Sequence, residues 1–307
     1  MSTVLFVLIP GLHVLDLAGP AQVFAMAADH GCPYTLRYVS DHPEVVTAQG
    51  VRLSAETRWP ELSSADLIVV PGWRTSSPAP AGTVTQACLD RLAAHHRRGG
   101  LVASVCAGAD VLGRAGLLDG RRCTTHHDLQ DALAARYPAA SVVRDVLYVV
   151  DGRVATSAGI ASGIDLSLHL VAERDGAAMA AQVSRAMVVY TRRNGSERQD
   201  SVMLRHRAHL NDLTHRVQDR IEAGFAGPLP LDELAAGFGV SPRTLTRRFV
   251  EATGMTPLRY QQTLRVERAE HLIGHGATVE AAARAVGFQD ARMLRRLRAT
   301  ARRTAET

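Results

Sequence analysis

The stretch Leu231–Gly254, LDELAAGFGVSPRTLTRRFVEATG, has the pattern of two short helices joined by a tight turn. Apolar residues recur at i, i+3, i+4 and i+7, which is the spacing of one buried helix face: Leu231, Leu234, Ala235 and Phe238. Gly239 suits the end of this helix because glycine adopts the left-handed conformation without strain. Ser241 and Pro242 are typical of the start of a second helix. The stretch therefore predicts a helix-turn-helix.

The second predicted helix is rich in side chains that contact nucleic acids. Only Leu245 and Phe249 need to face inward, which leaves arginine and hydroxyl side chains exposed. The candidate DNA contacts are Ser241, Arg243, Thr244, Arg247 and Arg248. Guanidinium and hydroxyl groups bind phosphates and base edges, so we interpret this helix as one that enters the major groove of double-stranded DNA. The alternative is an ordinary helical hairpin with a solvated basic face.

The composition and the distribution of charge support two different domains. The chain has 307 residues, 46% of them hydrophobic, which predicts a globular protein with two domains. All 35 residues of the Lys+Arg total are arginine. Residues 1–196 carry 17 arginines against 17 acids, whereas residues 197–307 carry 18 against 13, a net charge of +5. This excess indicates a polyanionic partner for the C-terminal third, or else only a solvated surface.

The cysteines and the N-terminus exclude several classes of protein. Cys32, Cys88, Cys106 and Cys123 show neither a C-x-x-C pair nor zinc-ligand spacing, so we expect no disulfide framework, no metal and no cofactor. The apolar run at residues 4–9 lacks a basic flank and is too short for an export signal or a membrane span. We therefore expect a cytoplasmic protein.

Strand and helix patterns alternate through residues 1–190. Short apolar runs predict strands at residues 4–9, 34–39, 65–70, 101–105 and 154–156, with a small hairpin at 45–53. Helices are predicted at residues 20–31, 83–98, 107–115, 128–136 and 160–172. This rhythm predicts a doubly wound, flavodoxin-like α/β sandwich, followed by an all-α domain.

The most specific sequence signal for a functional site in this part of the chain is the segment around Cys106. A predicted strand leads directly into Cys106, Ala107 and Gly108 and then into a helix, which is the arrangement of a nucleophile elbow with cysteine as the nucleophile. Unpaired amides and the helix dipole at a helix N-terminus stabilise a thiolate, so we expect the pKa of Cys106 to be lowered. Asp16, in the loop after the first strand, and His126 or His127 are candidate partners at the same edge of the sheet.

The residues around Cys106 also have purely structural interpretations. Cys106 is small enough simply to fill a crowded turn, and a histidine in a loop often only caps a helix or faces solvent. From the residues alone, Cys106 with Asp16 supports either ligand recognition or cysteine-dependent catalysis.

Four motifs in the correct order resemble the DJ-1/PfpI superfamily, in the branch fused to AraC-type DNA-binding domains: DLAGP, the strand-Cys-Ala-Gly elbow, AGLLDGRRCTTHH and TSAGIASGIDLSLHLV. The resemblance implies that residues 1–190 form a ligand sensor and dimerisation domain. The ligand-binding residues would be Asp16, Cys106, Ala107, Gly108 and His126. Ala107 departs from the isonitrile hydratases of the superfamily, which have threonine there, and supplies no hydroxyl.

The remaining residues are assigned to a linker and a DNA-binding domain. Thr191–Ser201, TRRNGSERQDS, has no apolar face and predicts a linker. Helices are predicted at residues 211–225 and 257–275, and Thr278 is suited to cap another helix. Gly287-Phe288 then repeats the turn at Gly239-Val240. By the resemblance, residues 202–307 form an AraC-type domain with two helix-turn-helix units on a connecting helix.

The second helix-turn-helix unit, at residues 290–298, departs from the family pattern. Its candidate DNA contacts are Arg292, Arg295 and Arg296. Arg298 stands where the family usually has phenylalanine, and no Gly-x-x-Pro-x-x-Tyr segment follows before Thr307, so we expect a shortened C-terminus. The helix from Asp290 is therefore expected to be less protected than the helix from Pro242.

Together these features favour a ligand-responsive transcriptional regulator that binds DNA as a homodimer and responds to a small-molecule effector. The alternative is a hydratase or hydrolase of a small nitrogen-containing substrate that carries a regulatory DNA-binding domain. A third interpretation is a regulator whose second helix-turn-helix unit no longer folds. The sequence identifies neither the effector nor the operator.

Overall fold

A computed structural model describes residues 2–75, 84–189, 193–195, 199, 206–207, 209–274 and 276–305, with side chains described as far as residue 299. The chain divides into two compact units, Met1–Gln199 and Asp200–Thr307. Among the described residues, no helix is long and apolar enough to cross a membrane.

The first unit is an α/β sandwich. Its strands are β1 (Ser2–Val7), β2 (Tyr34–Val39), β3 (Glu44–Val46), β4 (Arg52–Ser54), β5 (Leu67–Val70), β6 (Leu101–Val105), β7 (Arg122–Cys123), β8 (Ser141–Val142), β9 (Tyr148–Asp151) and β10 (Val154–Ser157). Its α-helices are α1 (Val14–Asp29), α2 (Gln86–Arg97), α3 (Gly108–Arg114), α4 (Gln130–Arg136), α5 (Ser162–Asp175) and α6 (Ala177–Ala186). A short 3-10 helix, His127–Leu129, precedes α4.

Six of these strands form the central sheet, in the order β2-β1-β5-β6-β10-β9. The first five are parallel to their neighbours, and β9 pairs antiparallel with β10 at the edge. The continuous apolar sequence of the central strands is buried by helices, as parallel sheets require. Because β1, β5 and β6 lie side by side, the loops that follow them meet at one edge of the sheet. This architecture confirms the predicted doubly wound fold.

Helix α1 differs from its prediction. We expected the helix to start at about Pro20 and Asp16 to lie in the preceding loop, but α1 begins at Val14 and contains both residues. Pro20 is buried against Gly163 of α5, so packing outweighs the backbone hydrogen bond that an internal proline removes. Asp16 therefore lies in the first turn of α1 and is held more rigidly than a loop residue.

The second unit contains six helices within its described residues: α7 (Asp212–Ala223), α8 (Leu231–Ala236), α9 (Pro242–Thr253), α10 (Pro257–Gly274), α11 (Val279–Ala285) and α12 (Ala291–Ala305). Helices α8 and α9 form the first helix-turn-helix unit, and α11 and α12 form the second. Each helix-turn-helix unit has its own hydrophobic core, and α10 contributes residues to both cores. The predicted pair of units on a connecting helix is confirmed.

The predicted linker, residues 191–201, is described only at residues 193–195 and 199. Arg193, Gly195 and Gln199 hydrogen-bond to the first unit. The domain limits at residues 190 and 202 stay a prediction.

Candidate functional sites

Cys106 occupies a strained backbone position at the end of β6. Its φ is 55°, a left-handed conformation that costs a residue with a side chain about 1–3 kcal/mol. The amide of Cys106 donates to the Ser157 carbonyl at 2.9 Å, which continues the pairing of β6 with β10 through the turn. Helix α3 begins two residues later at Gly108. The predicted elbow is therefore present, and β6, β10 and α3 fix its geometry.

Three glycines make room for the elbow. A Cβ atom added to Gly72 would lie 2.7 Å from the Cys106 Cβ, and one added to Gly159 would lie 2.5 Å from the same atom. A Cβ on Gly108 would lie 2.2 Å from the Val70 carbonyl oxygen. Contacts this short do not occur between real side chains, so the elbow requires glycine at all three positions.

Asp16 lies beside Cys106 in the interior. Its side chain is completely buried, and its Oδ1 accepts a hydrogen bond of 2.7 Å from the amide of Ile160. The Oδ2 atom points toward Gly72, where an added Cβ would lie 2.6 Å away. Burial raises the pKa of Asp16, whereas the hydrogen bond from Ile160 lowers it. The predicted proximity of Asp16 and Cys106 is confirmed.

The predicted lowering of the Cys106 pKa is wrong. Burial and the neighbouring Asp16 carboxylate raise the pKa of the thiol to about 12, while the backbone amide of Ala107 lowers it only in part. The residue is 6% exposed, so little water is available to solvate a thiolate. Helix α3 spans only seven residues, and its dipole does not offset this desolvation. Cys106 is therefore a neutral thiol at physiological pH.

The segment after β7 borders the elbow. The Thr125 hydroxyl donates to the Cys106 carbonyl at 2.8 Å. The next residue, His126, is partly exposed, and its Nδ1 lies 3.5 Å from the Asp128 carboxylate. The His126 and His127 rings are 4.1 Å apart. Asp128 is exposed, yet its charge also contributes to the raised pKa of Cys106. The segment of residues 126–128, called the rim below, therefore lies within electrostatic range of the thiol.

The side chains of His126, His127 and Asp128 bring two imidazoles and one carboxylate within 4.8 Å of one another. These groups are of types that bind zinc or nickel. However, the three residues are consecutive in the chain, so their proximity follows from local sequence. Two of them are also exposed to solvent.

Sequence reasoning missed three parts of this site: Gly72, Thr125 and the Gly159-Ile160 turn. Ile160 has a positive φ of 49° and supplies the amide that binds Asp16. The only sequence signals were Pro-Gly after β5 and Ala-Gly after β10. Such dipeptides predict turns but do not show that both turns pack against Cys106.

The first helix-turn-helix unit has the predicted caps. The Ser241 hydroxyl accepts from the amide of Thr244 at 3.2 Å, and Gly254 ends α9 in the left-handed conformation. Leu245 and Phe249 are buried, and the Phe249 ring packs edge-on against Tyr260 with centroids 5.6 Å apart. These contacts fix which face of α9 points outward.

The candidate DNA contacts occupy the outward part of α9. Arg243, Arg247 and Arg248 are exposed, and Thr244 is partly exposed at the N-terminal end of the helix. Arg247 pairs with Glu251 at 3.0 Å on the same helix face. The arrangement suits insertion of the N-terminal end of α9 into a major groove.

The second helix-turn-helix unit has the same turn and helix cap as the first. The amide of Phe288 donates to the Ala283 carbonyl at 2.9 Å, as the amide of Val240 does to Ala235 at 3.2 Å. Asp290 caps α12 by accepting from the amides of Arg292 and Met293. Among the side chains described in this helix, up to residue 299, the exposed arginines are Arg292, Arg295 and Arg296.

Two comparisons of sequence identify the families. Residues 2–173 match the model of the DJ-1/PfpI family, and residues 234–305 match a helix-turn-helix domain model. The chain belongs to the DJ-1/PfpI family. It is an AraC-family transcriptional regulator with an N-terminal DJ-1/PfpI domain, and its helix-turn-helix domain implies DNA binding.

Individual relatives agree with this assignment. The chain is 31% identical over 271 residues to the HTH-type transcriptional regulator CdhR of Pseudomonas aeruginosa, covering 87% of this chain and 79% of the relative. It is 36% identical over 174 residues to an isonitrile hydratase of Pseudomonas putida, covering 56% of this chain and 71% of that enzyme. A crystal structure of an AraC-family transcriptional regulator from Pseudomonas putida superposes with a TM-score of 0.52 and 25% identity, covering 61% of this chain and all of that one.

Proposed function

We propose that this protein is a ligand-responsive transcriptional regulator in which a small metabolite binds at the Cys106 elbow and changes the binding of DNA by α9 and α12. The observation that carries the proposal is a buried cysteine, packed in the elbow between Gly72 and Gly159, in the same chain as a helix-turn-helix domain. Burial raises the pKa of this thiol. A neutral thiol contributes to recognition, whereas nucleophilic catalysis requires the thiolate.

The chemistry of the rim favours a zwitterionic or amine-bearing effector. The backbone amide of Ala107 faces the Cys106 sulfur and, as a hydrogen-bond donor, is suited to bind a carboxylate placed beside the thiol. Asp128 is exposed and its charge acts on the Cys106 thiol, so it is suited to bind an ammonium group, with His126 beside it at 3.5 Å. Because Asp16 is completely buried, its role in this proposal is to hold Cys106 and the Gly159-Ile160 turn.

The proposed regulator acts as a homodimer. Helix-turn-helix proteins gain affinity and specificity when a dimer places two recognition helices on half-sites of one operator. In AraC-type chains each subunit carries two such helices, so a dimer would contact several successive major grooves.

The similarity to isonitrile hydratase supports a second candidate, a cysteine-dependent hydratase. Two features argue against it: Ala107 has no hydroxyl, and burial and the Asp16 carboxylate raise the pKa of the Cys106 thiol. A thiol with a raised pKa is almost entirely protonated and reacts slowly with electrophiles.

Calorimetry with purified protein and a panel of amino acids, betaines and amines tests the proposal. We expect one or more compounds to bind and to change the affinity for duplex DNA selected from a random library. Cys106→Ala and Asp16→Asn should fold and bind the selected DNA but lose or alter the response. Cys32→Ala, which changes another thiol of the same unit, should respond normally.

Two results would contradict the sensor function. Repeated turnover of a panel compound that is lost in Cys106→Ala would establish the enzyme instead. An unchanged response in both Cys106→Ala and Asp16→Asn would place the effector site elsewhere.

A further inference from the structure

We propose that the residues described between the sheet and the DNA-binding unit, 193–195 and 199, transmit the state of the Cys106 elbow toward that unit. Three of these residues are hydrogen-bonded to the rest of the first compact unit: Arg193, Gly195 and Gln199. Gln199 is linked to the elbow through Thr125, and Arg193 is linked to it less directly through α5. This inference rests on the proposed function, because it concerns how a ligand at that site would act on DNA binding.

The first attachment joins Arg193 to Asp165. The Arg193 guanidinium donates twice to Asp165 Oδ2, at 2.6 and 3.1 Å, and the Arg193 amide donates to Oδ1 at 3.2 Å. Asp165 is buried in the first turn of α5. A buried carboxylate needs such a partner, so Arg193 is held firmly while α5 keeps its position.

The start of α5 is joined to the elbow through the Gly159-Ile160 turn. The amide of Gly159 donates to the Ser162 hydroxyl at 2.8 Å, and the amide of Ile160 donates to Asp16. Gly159 packs directly on Cys106. A ligand that moves this turn would therefore move the first turn of α5, which carries Asp165.

The second attachment joins Gln199 to the other side of the elbow. Its Nε2 donates to the carbonyls of Thr125 at 2.9 Å and Val146 at 3.0 Å. Thr125 in turn donates its hydroxyl to the Cys106 carbonyl. Only one residue thus separates Gln199 from Cys106.

The docked position of the Gln199 side chain leaves one of its polar atoms unpaired. The Gln199 Oε1 atom is buried and has no hydrogen-bond partner among the described residues. Leaving a buried acceptor unpaired is unfavourable, so the docked state of this side chain is only weakly preferred. A displacement of Thr125 would remove one of the three hydrogen bonds described for Gln199, leaving those to Val146 and from its amide to Asp145.

The third attachment lies between the other two. The Gly195 carbonyl accepts from the amides of Leu147 and Tyr148, at 2.9 and 3.3 Å. A Cβ on Gly195 would lie 2.7 Å from the Tyr148 carbonyl oxygen, so the segment lies directly against the start of edge strand β9. The first compact unit ends at Gln199, and the unit that binds DNA follows. Release of the segment would therefore change how the DNA-binding unit is tethered.

Limited trypsin digestion of the full chain tests this relay without an effector or DNA. The chain contains no lysine, so trypsin cleaves only after arginines, and its cleavage after Arg193 reports release of this side chain from Asp165. The elbow is perturbed by Gly159→Ala, whose Cβ displaces Cys106, or more gently by Asp16→Ala, which removes the acceptor for Ile160.

We expect cleavage after Arg193 to accelerate about tenfold in Gly159→Ala, Asp16→Ala and Gln199→Ala, the factor expected for the loss of one or two hydrogen bonds. Gln182→Ala, an exposed glutamine of α6, is the matched control and should cleave at the wild-type rate. Fluorescence of Trp59 and Trp73, both in the first unit, shows which variants are folded.

The double variant Asp16→Ala/Gln199→Ala distinguishes a relay from two independent effects. In a relay, the second substitution adds little to the first. Unchanged cleavage in the folded elbow variants, or fully multiplicative effects in the double variant, would overturn the relay. Either result would leave the effector panel free to confirm or contradict the proposed function independently.

Discussion

The two helix-turn-helix units share one turn geometry but anchor their second helices differently. In the first unit, Leu245 and Phe249 are both buried, one helical turn apart. The corresponding positions of the second unit are Leu294, which is buried, and Arg298, whose side chain is 23% exposed and lies 3.3 Å from Glu270. Helix α9 thus has two buried apolar side chains, called anchors below, whereas α12 has one buried apolar side chain and an ion pair.

This difference concerns the helix α12 and not the turn that precedes it. Arg265 of α10 donates to the carbonyls of Phe225 and Gly287 at 2.7 and 3.1 Å. Gly287 also packs so closely on Ala226 that an added Cβ would lie 1.8 Å from the Ala226 carbonyl oxygen. The second turn is therefore held in place, while the helix after it has one fully buried apolar side chain, Leu294, beside three that are only partly buried: Ala291, Met293 and Leu297. A helix with weaker anchoring opens at lower free energy.

The largest expected effect is the loss of the aromatic anchor. Phe249→Ala should destabilise the first unit by about 3–5 kcal/mol, because it removes a buried ring and leaves a cavity. Arg298→Ala should cost less than about 1 kcal/mol, as expected for a partly exposed ion pair. Hydrogen exchange of α9 and α12 measures both effects, and unchanged fluorescence of Trp59 and Trp73 shows that the sheet domain, Met1–Gln199, is intact. Equal losses of protection would contradict the difference in anchoring.

The next largest effect is on the sequence preference of DNA binding. Arg243→Ala should relax the preference at one base pair by about 1–3 kcal/mol if the side chain binds a base edge. Arg292→Ala, at the equivalent end of α12, should instead weaken binding to all sequences by a similar small factor. Titration of the selected duplex and of single-base variants separates these outcomes. A base-specific loss in Arg292→Ala but not in Arg243→Ala would reverse the assigned roles.

A phenylalanine at position 298 should stabilise helix α12. Arg298→Phe should slow hydrogen exchange of α12 by an amount equivalent to about 1–2 kcal/mol, because a partly buried ring gains part of the transfer free energy of phenylalanine. Exchange of α9 should not change. Faster exchange of α12 would show that the Arg298–Glu270 pair is the better anchor.

The smallest effects should come from the exposed ion pairs of the two helices. Glu251→Ala, which removes the partner of Arg247, and Glu280→Ala, which removes the partner of Arg295, should each change stability by about 0–1 kcal/mol. Thermal unfolding followed by circular dichroism measures this. A loss several times larger would show that surface charge, and not the apolar anchor, holds these helices.

Local patterns were sufficient to predict most of the fold. Apolar periodicity located five of the six strands of the sheet, all but the edge strand β9, and the helices of both helix-turn-helix units. Ser241 and Thr278 marked helix starts correctly, whereas α8 ends at Ala236, before the left-handed Gly239 that was expected to end it. These signals depend on contacts within a few residues along the chain. They failed at Pro20, where packing against Gly163 determines the start of α1.

The site chemistry was less predictable because it depends on distant residues. A helix N-terminus predicted a lowered pKa for Cys106, but desolvation and Asp16 raise it. Neither the burial of the thiol nor the direction of the Asp16 carboxylate is encoded near Cys106. The attachments of Arg193 and Gln199 were missed for the same reason, since the polar composition of residues 191–201 suggested only a linker.

Selection of bound duplexes from a random DNA library tests most directly whether α9 reads sequence while α12 mainly adds charge. The full chain is compared with two variants, one with alanine at Arg243, Arg247 and Arg248 and one with alanine at Arg292, Arg295 and Arg296. We expect the α12 variant to select the wild-type motif with weaker binding, and the α9 variant to select no motif. Recovery of the wild-type motif by the α9 variant would contradict the assignment of α9 as the recognition helix.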